Sequence, residues 1–287
     1  MCVNLARGII ISQRFLCQHA DNVRRVTEGD RIRTKLGYST ADQIVVRGRD
    51  LTTEILGKMN LGDFAYLHLT GREPQPAASR LFNAIVITLV EHGITPSALA
   101  ARLTYAGAPE SLQGAVAAGL CGLGSVYGGT AEGAAKMLAE AIPEPASPGD
   151  LRQLSCEIVA NALDARTPIP GIGHPIHKPQ DPRAVRLFEL ATETGFSGPY
   201  VELMSLIAER AGVVLQRALP VNATGAIGAL SCELGLPWQV ARGLVVMARA
   251  IGLVGHVLEE SERPFALEIW RRADSEALAN ALDSQGM

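Results

Sequence analysis

Residues 171–184 read GIGHPIHKPQDPRA. Two histidines, a lysine and an arginine are held between glycines and prolines, and the run then opens into a helical pattern. Pro168, Pro170, Pro175, Pro179 and Pro182 restrict the backbone, so the segment loses little entropy when it orders around a ligand. Gly171 and Gly173 let a ligand approach backbone N–H groups closely. Asp181 is placed to cap a helix whose first residue is Pro182. Arg183 then falls in the first turn, where a cation opposes the helix dipole and needs an anion from the protein or from a ligand. A planar guanidinium fork suits a carboxylate, because it meets both oxygens at once. Two readings stay open on these residues alone: a stiff ligand-binding loop, or a proline-rich surface connection in which Asp181 and Arg183 form a local pair.

The rest of the chain is a helix-former's sequence. Of 287 residues, 47% are hydrophobic but only 5% aromatic, with few of the β-branched and aromatic runs that build sandwiches or barrels. The expected fold is all-α. The one β-like run is IVVRG at 44–48, and helical patterns follow, beginning with LTTEILGKM at 51–59. Thr95 caps a helix with Pro96 at its first position. PEPASPGD at 143–150 is the clearest linker. The expected organisation is an N-terminal extension (1–36), a large helical domain (37–142 and 221–287) and a smaller helical domain carrying the loop (143–220).

Several function classes are excluded or disfavoured. A net charge of −3 and the lack of long basic runs argue against nucleic acid. Five scattered cysteines without a CxxC pair imply reduced thiols in a cytoplasmic protein, with no disulfide frame or metal site. The N-terminal apolar run is too short for a signal peptide. Ser111–Ala131 is uncharged and long enough to span a membrane, but its glycines and alanines favour close helix packing instead. The other apolar segment, near the C-terminus, is interrupted by Arg242, Arg249 and His256. These three are seven residues apart and share one side of a helix whose neighbouring positions are apolar. Buried arginines there require an anionic partner.

The loop resembles the G-x-G-H-x-[VI]-[YH]-x-x-x-D-P-R-A signature of the citrate synthase superfamily. VEHGITPSALAAR (90–102) is similar to that family's DHG segment, AYLHLTGREP (65–74) to its early helix, and MARAIGLVGHVLEE (247–260) to its late helix. The short chain resembles the citryl-CoA lyase-like branch. The resemblance implies a citrate synthase-like fold of two helical lobes in a homodimer, acting on an acyl-CoA and a di- or tricarboxylate. It implies that His174 contacts the oxaloacetate carbonyl and that His92 helps hold the same substrate. Arg183, Arg249 and Arg263 would bind carboxylates, the last donated across the dimer. Pro170, Gly171, Ile172 and Gly173 would contact the CoA adenine, with Lys178 near its phosphates. CoA is substrate here, and no bound cofactor or metal is implied.

Two departures bear on the reaction. The family's G-P-L-H-G-G-A-N-E reads GSVYGGTAE (124–132), so Tyr127 replaces the enolising histidine. The family's N-V-D reads NAT (222–224), so Thr224 replaces the aspartate base. A threonine hydroxyl cannot act as a carboxylate base at neutral pH. The expected activity is therefore citryl-CoA lyase-like or citrate synthase-like, with cleavage favoured over synthesis. In cleavage His174 would take the hydroxyl proton and Tyr127 would hydrogen-bond the thioester oxygen. The alternatives are a decarboxylase or lyase of another carboxylated acyl-CoA, and a non-catalytic CoA-ester-binding protein.

Overall fold

The computed structural model describes residues 33–126 and 128–284, in two compact units, Met1–Glu54 and Ile55–Met287. In the first unit three short strands, β1 (Gly37–Ser39), β2 (Ile44–Val46) and β3 (Arg49–Asp50), form an antiparallel sheet in the order β1-β2-β3. The IVVRG run is thus the middle of a small sheet, not a lone strand. LTTEILGKM does not continue as an ordinary helix either. Asp50 accepts from the amide and hydroxyl of both Thr52 and Thr53, and a short π-helical turn over Leu51–Ile55 results. Short polar side chains that bond their own backbone divert the chain from a regular helix.

Apart from an isolated antiparallel bridge between Ile172 and Val221, the regular elements of the second unit are helices among the described residues. Its helices are α1 (Leu61–Thr70), α2 (Pro76–Val90), α3 (Pro96–Gly107), α4 (Leu112–Cys121), α5 (Gly129–Ala141) and α6 (Leu151–Asp164), then α7 (Pro182–Thr194), α8 (Pro199–Leu215), α9 (Ala223–Glu233), α10 (Val240–Glu262) and α11 (Ala266–Ser284). The caps follow the sequence signals. Thr95 accepts from the Ala98 amide and Asp181 from the Arg183 amide, each with proline at the first helical position. The 143–150 stretch is the non-helical connection between α5 and α6.

Side chains from α2, α5, α7, α8, α9 and α10 make one core, with Leu81, Phe82, Ile85, Leu203, Ile207, Leu230 and Leu244 at 0% exposure. Each such side chain contributes about 1.5–3 kcal/mol on burial. The glycine- and alanine-rich segment is not one long helix: α4 stops at Cys121 and α5 begins at Gly129. Helix α10 is long and apolar enough to cross a membrane, yet it packs against α2, α3, α4, α5 and α9 and carries buried Arg249, His256 and Glu260. That is the pattern of a core helix.

The start of α9 is built to meet backbone. A Cβ on Gly225 would lie 2.2 Å from the Gly171 carbonyl oxygen, a contact that neither main chain can relieve by rotating a side chain. Gly225→Ala is therefore expected to cost about 2–3 kcal/mol, read as a lower urea midpoint with unchanged slope.

Candidate functional site

The 171–184 loop is fastened to the N-terminus of α9. Gly171, at φ +87°, accepts from the Asn222 amide at 2.9 Å, and the Gly173 amide donates to Pro220 at 2.7 Å. The Asn222 side chain donates to the Gly173 carbonyl at 2.8 Å and accepts from the Gly225 amide as the α9 cap. Asp181 completes the junction at 1% exposure. One of its oxygens accepts from the Arg183 amide and Nε, and the other accepts from Arg183 Nη2 at 2.8 Å and the Ala223 amide at 3.0 Å. Burial alone would raise the Asp181 carboxyl. The Arg183 side chain and the two amides outweigh it and hold the group below the ordinary carboxylate range.

This junction sets out three histidines. The His92 and His174 ring centroids are 5.8 Å apart, and those of His174 and His177 are 4.4 Å apart and stacked. His174 Nδ1 accepts from the Ile176 and His177 amides at 3.1 and 3.0 Å. The neutral ring therefore carries its proton on Nε2. That nitrogen lies 3.4 Å from Arg183 Nη2, two donors facing one point in space. An acceptor oxygen between them satisfies both. Burial lowers the His174 basicity, with His177 and Arg183 adding to the effect. Burial also lowers that of His92, helped by Arg183 and Arg249. Both rings are thus kept neutral near neutral pH.

The ligand atoms of His92, His174 and His177 lie within 4.8 Å of one another, a donor set that suits zinc or copper by type. The hydrogen bonds do not fit that role. With Nδ1 occupied by two amides and Nε2 protonated, His174 has no lone pair to give. The cluster presents hydrogen-bond donors to a ligand instead.

A cavity of about 570 Å³ opens in front of these rings, lined by His92, His174, Arg183, Asn222, Thr224 and Arg249 among others. Arg249 is its most informative wall. It is 9% exposed, and its Nε and Nη1 have no hydrogen-bond partner. Burial pulls its basicity down, and Glu91 is the carboxylate that opposes this. A buried charged donor left unmade costs more than the 1–3 kcal/mol or so of a neutral group, which a carboxylate ligand in the cavity would recover.

The residues expected from sequence are distributed as follows. His92, His174, Arg183, Thr224 and Arg249 share the cavity, as do Pro170, Gly171, Ile172 and Gly173. Tyr127 lies outside the described residues. Lys178 is exposed and off the described cavity wall, and Arg263 is exposed at the end of α10. Thr224 Oγ1 donates to Asn222 Oδ1 at 2.7 Å. No aspartate or glutamate is among the described lining residues. The stripe on α10 separates: Arg242 pairs with Glu132, His256 faces Glu91, and Arg249 alone turns to the cavity.

Sequence reading missed Asn222 as the strap on the loop, and Glu91 and Arg102 behind His92. Arg102 had a signal: it lies one and four positions from Ala101 and Ala98 on the buried face of α3, where a lone cation has no water.

Residues 41–272 match the family model described as citrate synthase, C-terminal domain. Citrate synthase 2 of Bacillus subtilis is 30% identical over 196 residues, covering 67% of this chain and 50% of that one. The chain spans about half the length or less of the curated relatives it matches. The citryl-CoA lyase of Hydrogenobacter thermophilus aligns with a TM-score of 0.72 at 33% identity, covering 80% of this chain and 86% of that one. An ATP citrate lyase from Methanothrix soehngenii, in complex with citrate and coenzyme A, shares the fold at a TM-score of 0.66 and 20% identity, over 91% of this chain and 44% of that one.

Asp181→Asn should lower stability by about 2–3 kcal/mol at pH 7, since charge-assisted bonds are replaced by weaker ones. Because the folded value is depressed, the deficit is full above the unfolded carboxyl value of about 3.9 and shrinks as pH falls through the folded one. Urea titrations of both proteins between pH 7 and 3 measure it.

Proposed function

The chain belongs to the citrate synthase family, and from that premise we propose that it makes or breaks the carbon–carbon bond between the acetyl group of a CoA thioester and oxaloacetate, with cleavage of citryl-CoA favoured. The observation that carries this reading is the buried Arg249 guanidinium, two of whose donors make no hydrogen bond, on the same cavity as Arg183, His92 and His174. Two cations and two neutral imidazoles around one space suit a polycarboxylate whose central carbon bears a hydroxyl or ketone oxygen.

His174 Nε2 meets that oxygen. In the bond-forming direction it passes its proton to the oxygen as the ketone becomes a tertiary alcohol. In cleavage the step runs in reverse from the ring that has first released its Nε2 proton to solvent, and that nitrogen then takes the hydroxyl proton as the bond breaks. Two amide donors on Nδ1 and the Arg183 cation stabilise the ring after proton loss, which makes Nε2–H a better acid. His92 steadies the same oxygen. Synthesis from acetyl-CoA also needs a base for a methyl proton. Thr224, spent on Asn222, does not supply one, and no described lining carboxylate replaces it. Cleavage generates the enolate by breaking the bond, Tyr127 would donate to the thioester oxygen as charge develops there, and solvent would supply the proton that turns the enolate carbon into the methyl group of acetyl-CoA. Loss of CO2 from another carboxylated acyl-CoA would likewise need no base.

The wall formed by Pro170–Gly173 would take the CoA adenine, with Lys178 toward its phosphates, between lobes divided near 143–150 and 220. Arg263, exposed and not among the residues lining the described cavity, would complete the site of a second copy in a homodimer. A cytoplasmic setting belongs to the same reading.

Incubation with citryl-CoA, followed by mass spectrometry, is expected to yield oxaloacetate and acetyl-CoA. Release of CO2 from a different carboxylated ester would select decarboxylation. Binding without product from any ester would select a non-catalytic CoA-ester protein. Tyr127→Phe should reduce turnover about a hundredfold without loosening ester binding, and an unchanged rate would remove Tyr127 from the reaction.

Arg249→Met tests the carboxylate site separately. It should weaken citrate binding by about a hundredfold in calorimetry, as expected for a lost charge-assisted pair. It should leave the thermal midpoint unchanged or higher, because a buried charge with two unmade hydrogen bonds has been removed.

A further inference from the structure

Behind His92, away from the cavity, lies a second polar cluster that the proposed reaction does not use. Arg102 on α3 is fully buried. Its Nε donates to His256 Nδ1 at 3.1 Å, its Nη1 to Glu260 at 2.9 Å, and its Nη2 also reaches Glu259, while the guanidinium lies 4.3 Å over the Phe265 ring. Arginine only donates, so His256 accepts at Nδ1 and carries its proton on Nε2. Nε2 is 3.0 Å from Glu91 Oε2, close enough for an electrostatic contact, but its N–H is not aimed to make a hydrogen bond. The other Glu91 oxygen accepts from the His92 and Gly93 amides.

Burial would raise the Glu91 carboxyl. The two amides, with His256 and Arg249, hold it below the ordinary range, so it is an anion throughout the neutral region. Close helix contact makes this chain of contacts possible. A Cβ on Gly252 of α10 would lie 1.9 Å from the Val90 carbonyl, so α10 passes hard against the end of α2 one turn from His256.

We propose that Arg102 and His256 are positioning residues for His92. The buried guanidinium sets the His256 ring, the ring holds the Glu91 carboxylate, and the carboxylate fixes the two amides from which the His92 ring projects into the cavity. The functional half of this inference rests on His92 being part of the reaction site. Glu91 also links the relay to Arg249, so one carboxylate supports both the imidazole and the cation that face the ligand. Residues that orient a group touching the ligand typically account for about 10–100-fold in affinity or activity when removed.

Two conservative variants separate positioning from packing. His256→Gln keeps an N–H donor where Nε2 stood. His256→Asn keeps an acceptor for Arg102 but is too short to reach Glu91. Amide hydrogen exchange at His92 and Gly93 reads the Glu91 contact directly, with or without any substrate. In His256→Asn those two amides should exchange about tenfold faster or more, while amides elsewhere in α2, α3 and α10 keep their protection. The turnover number on citryl-CoA should fall about tenfold with KM unchanged, and His256→Gln should recover both to within about threefold.

Unchanged exchange at the two amides in His256→Asn overturns the relay. So does loss of protection throughout the three helices in both variants, which would mark His256 as packing only. Opened amides with unaltered kinetics overturn the positioning of His92. If the wild-type protein cleaves no ester, the proposed reaction fails by itself, and the exchange measurement still decides the relay.

Discussion

The Asp181 carboxylate is the interaction on which the rest of the site depends. Almost fully buried, it caps α7, grips the Arg183 guanidinium with both oxygens and receives the first amide of α9. One charge thereby ties together a loop, the helix that follows it and a helix some forty residues later in sequence. A buried carboxylate is tolerable only when such donors surround it, and here their number turns a desolvation cost into a fixed geometry. The positions of His174, Arg183, Asn222 and Thr224 follow from that fixture.

Two buried arginines show the difference between structure and function in this chain. Arg102 is saturated by His256, Glu259, Glu260 and the face of Phe265, and it has no donor directed into the cavity. Arg249 is buried to a similar degree, but two of its donors are unmade where the cavity begins. Two unmade donors on a buried cation cost the fold stability, and the proposed anionic ligand would satisfy them. Burial and hydrogen-bond satisfaction together, not burial alone, distinguish a strut from a binding group.

The chemistry at the cavity is asymmetric. The side that would hold a polycarboxylate has cations, donors and a loop locked in place by main-chain contacts. The side that would manage the thioester methyl group offers a threonine hydroxyl already bonded to Asn222 and no described carboxylate. That asymmetry is the basis of the proposed preference for cleavage over synthesis.

Much of this was legible in the residues themselves, because it is local. Prolines and glycines set the loop, Thr95 and Asp181 announce helix starts, and the apolar period shows a buried α10. The loop signature, with its neighbours at 90–102 and 247–260, carried the family resemblance and the residues His92, His174, Arg183 and Arg249. The small sheet around IVVRG and the π-helical turn after it were not foreseen, since the sheet comes from pairing of very short strands and the turn from Asp50 side-chain bonds to nearby backbone, neither of which periodicity registers. Tertiary structure alone decided which member of the Arg242, Arg249 and His256 stripe faces the cavity. Those three share a helix side in sequence, but each meets a different neighbour: Glu132, open space and Glu91. Sequence spacing determines which residues lie side by side. What stands opposite them, and hence which charge is left for a ligand, depends on how helices far apart in the chain pack together.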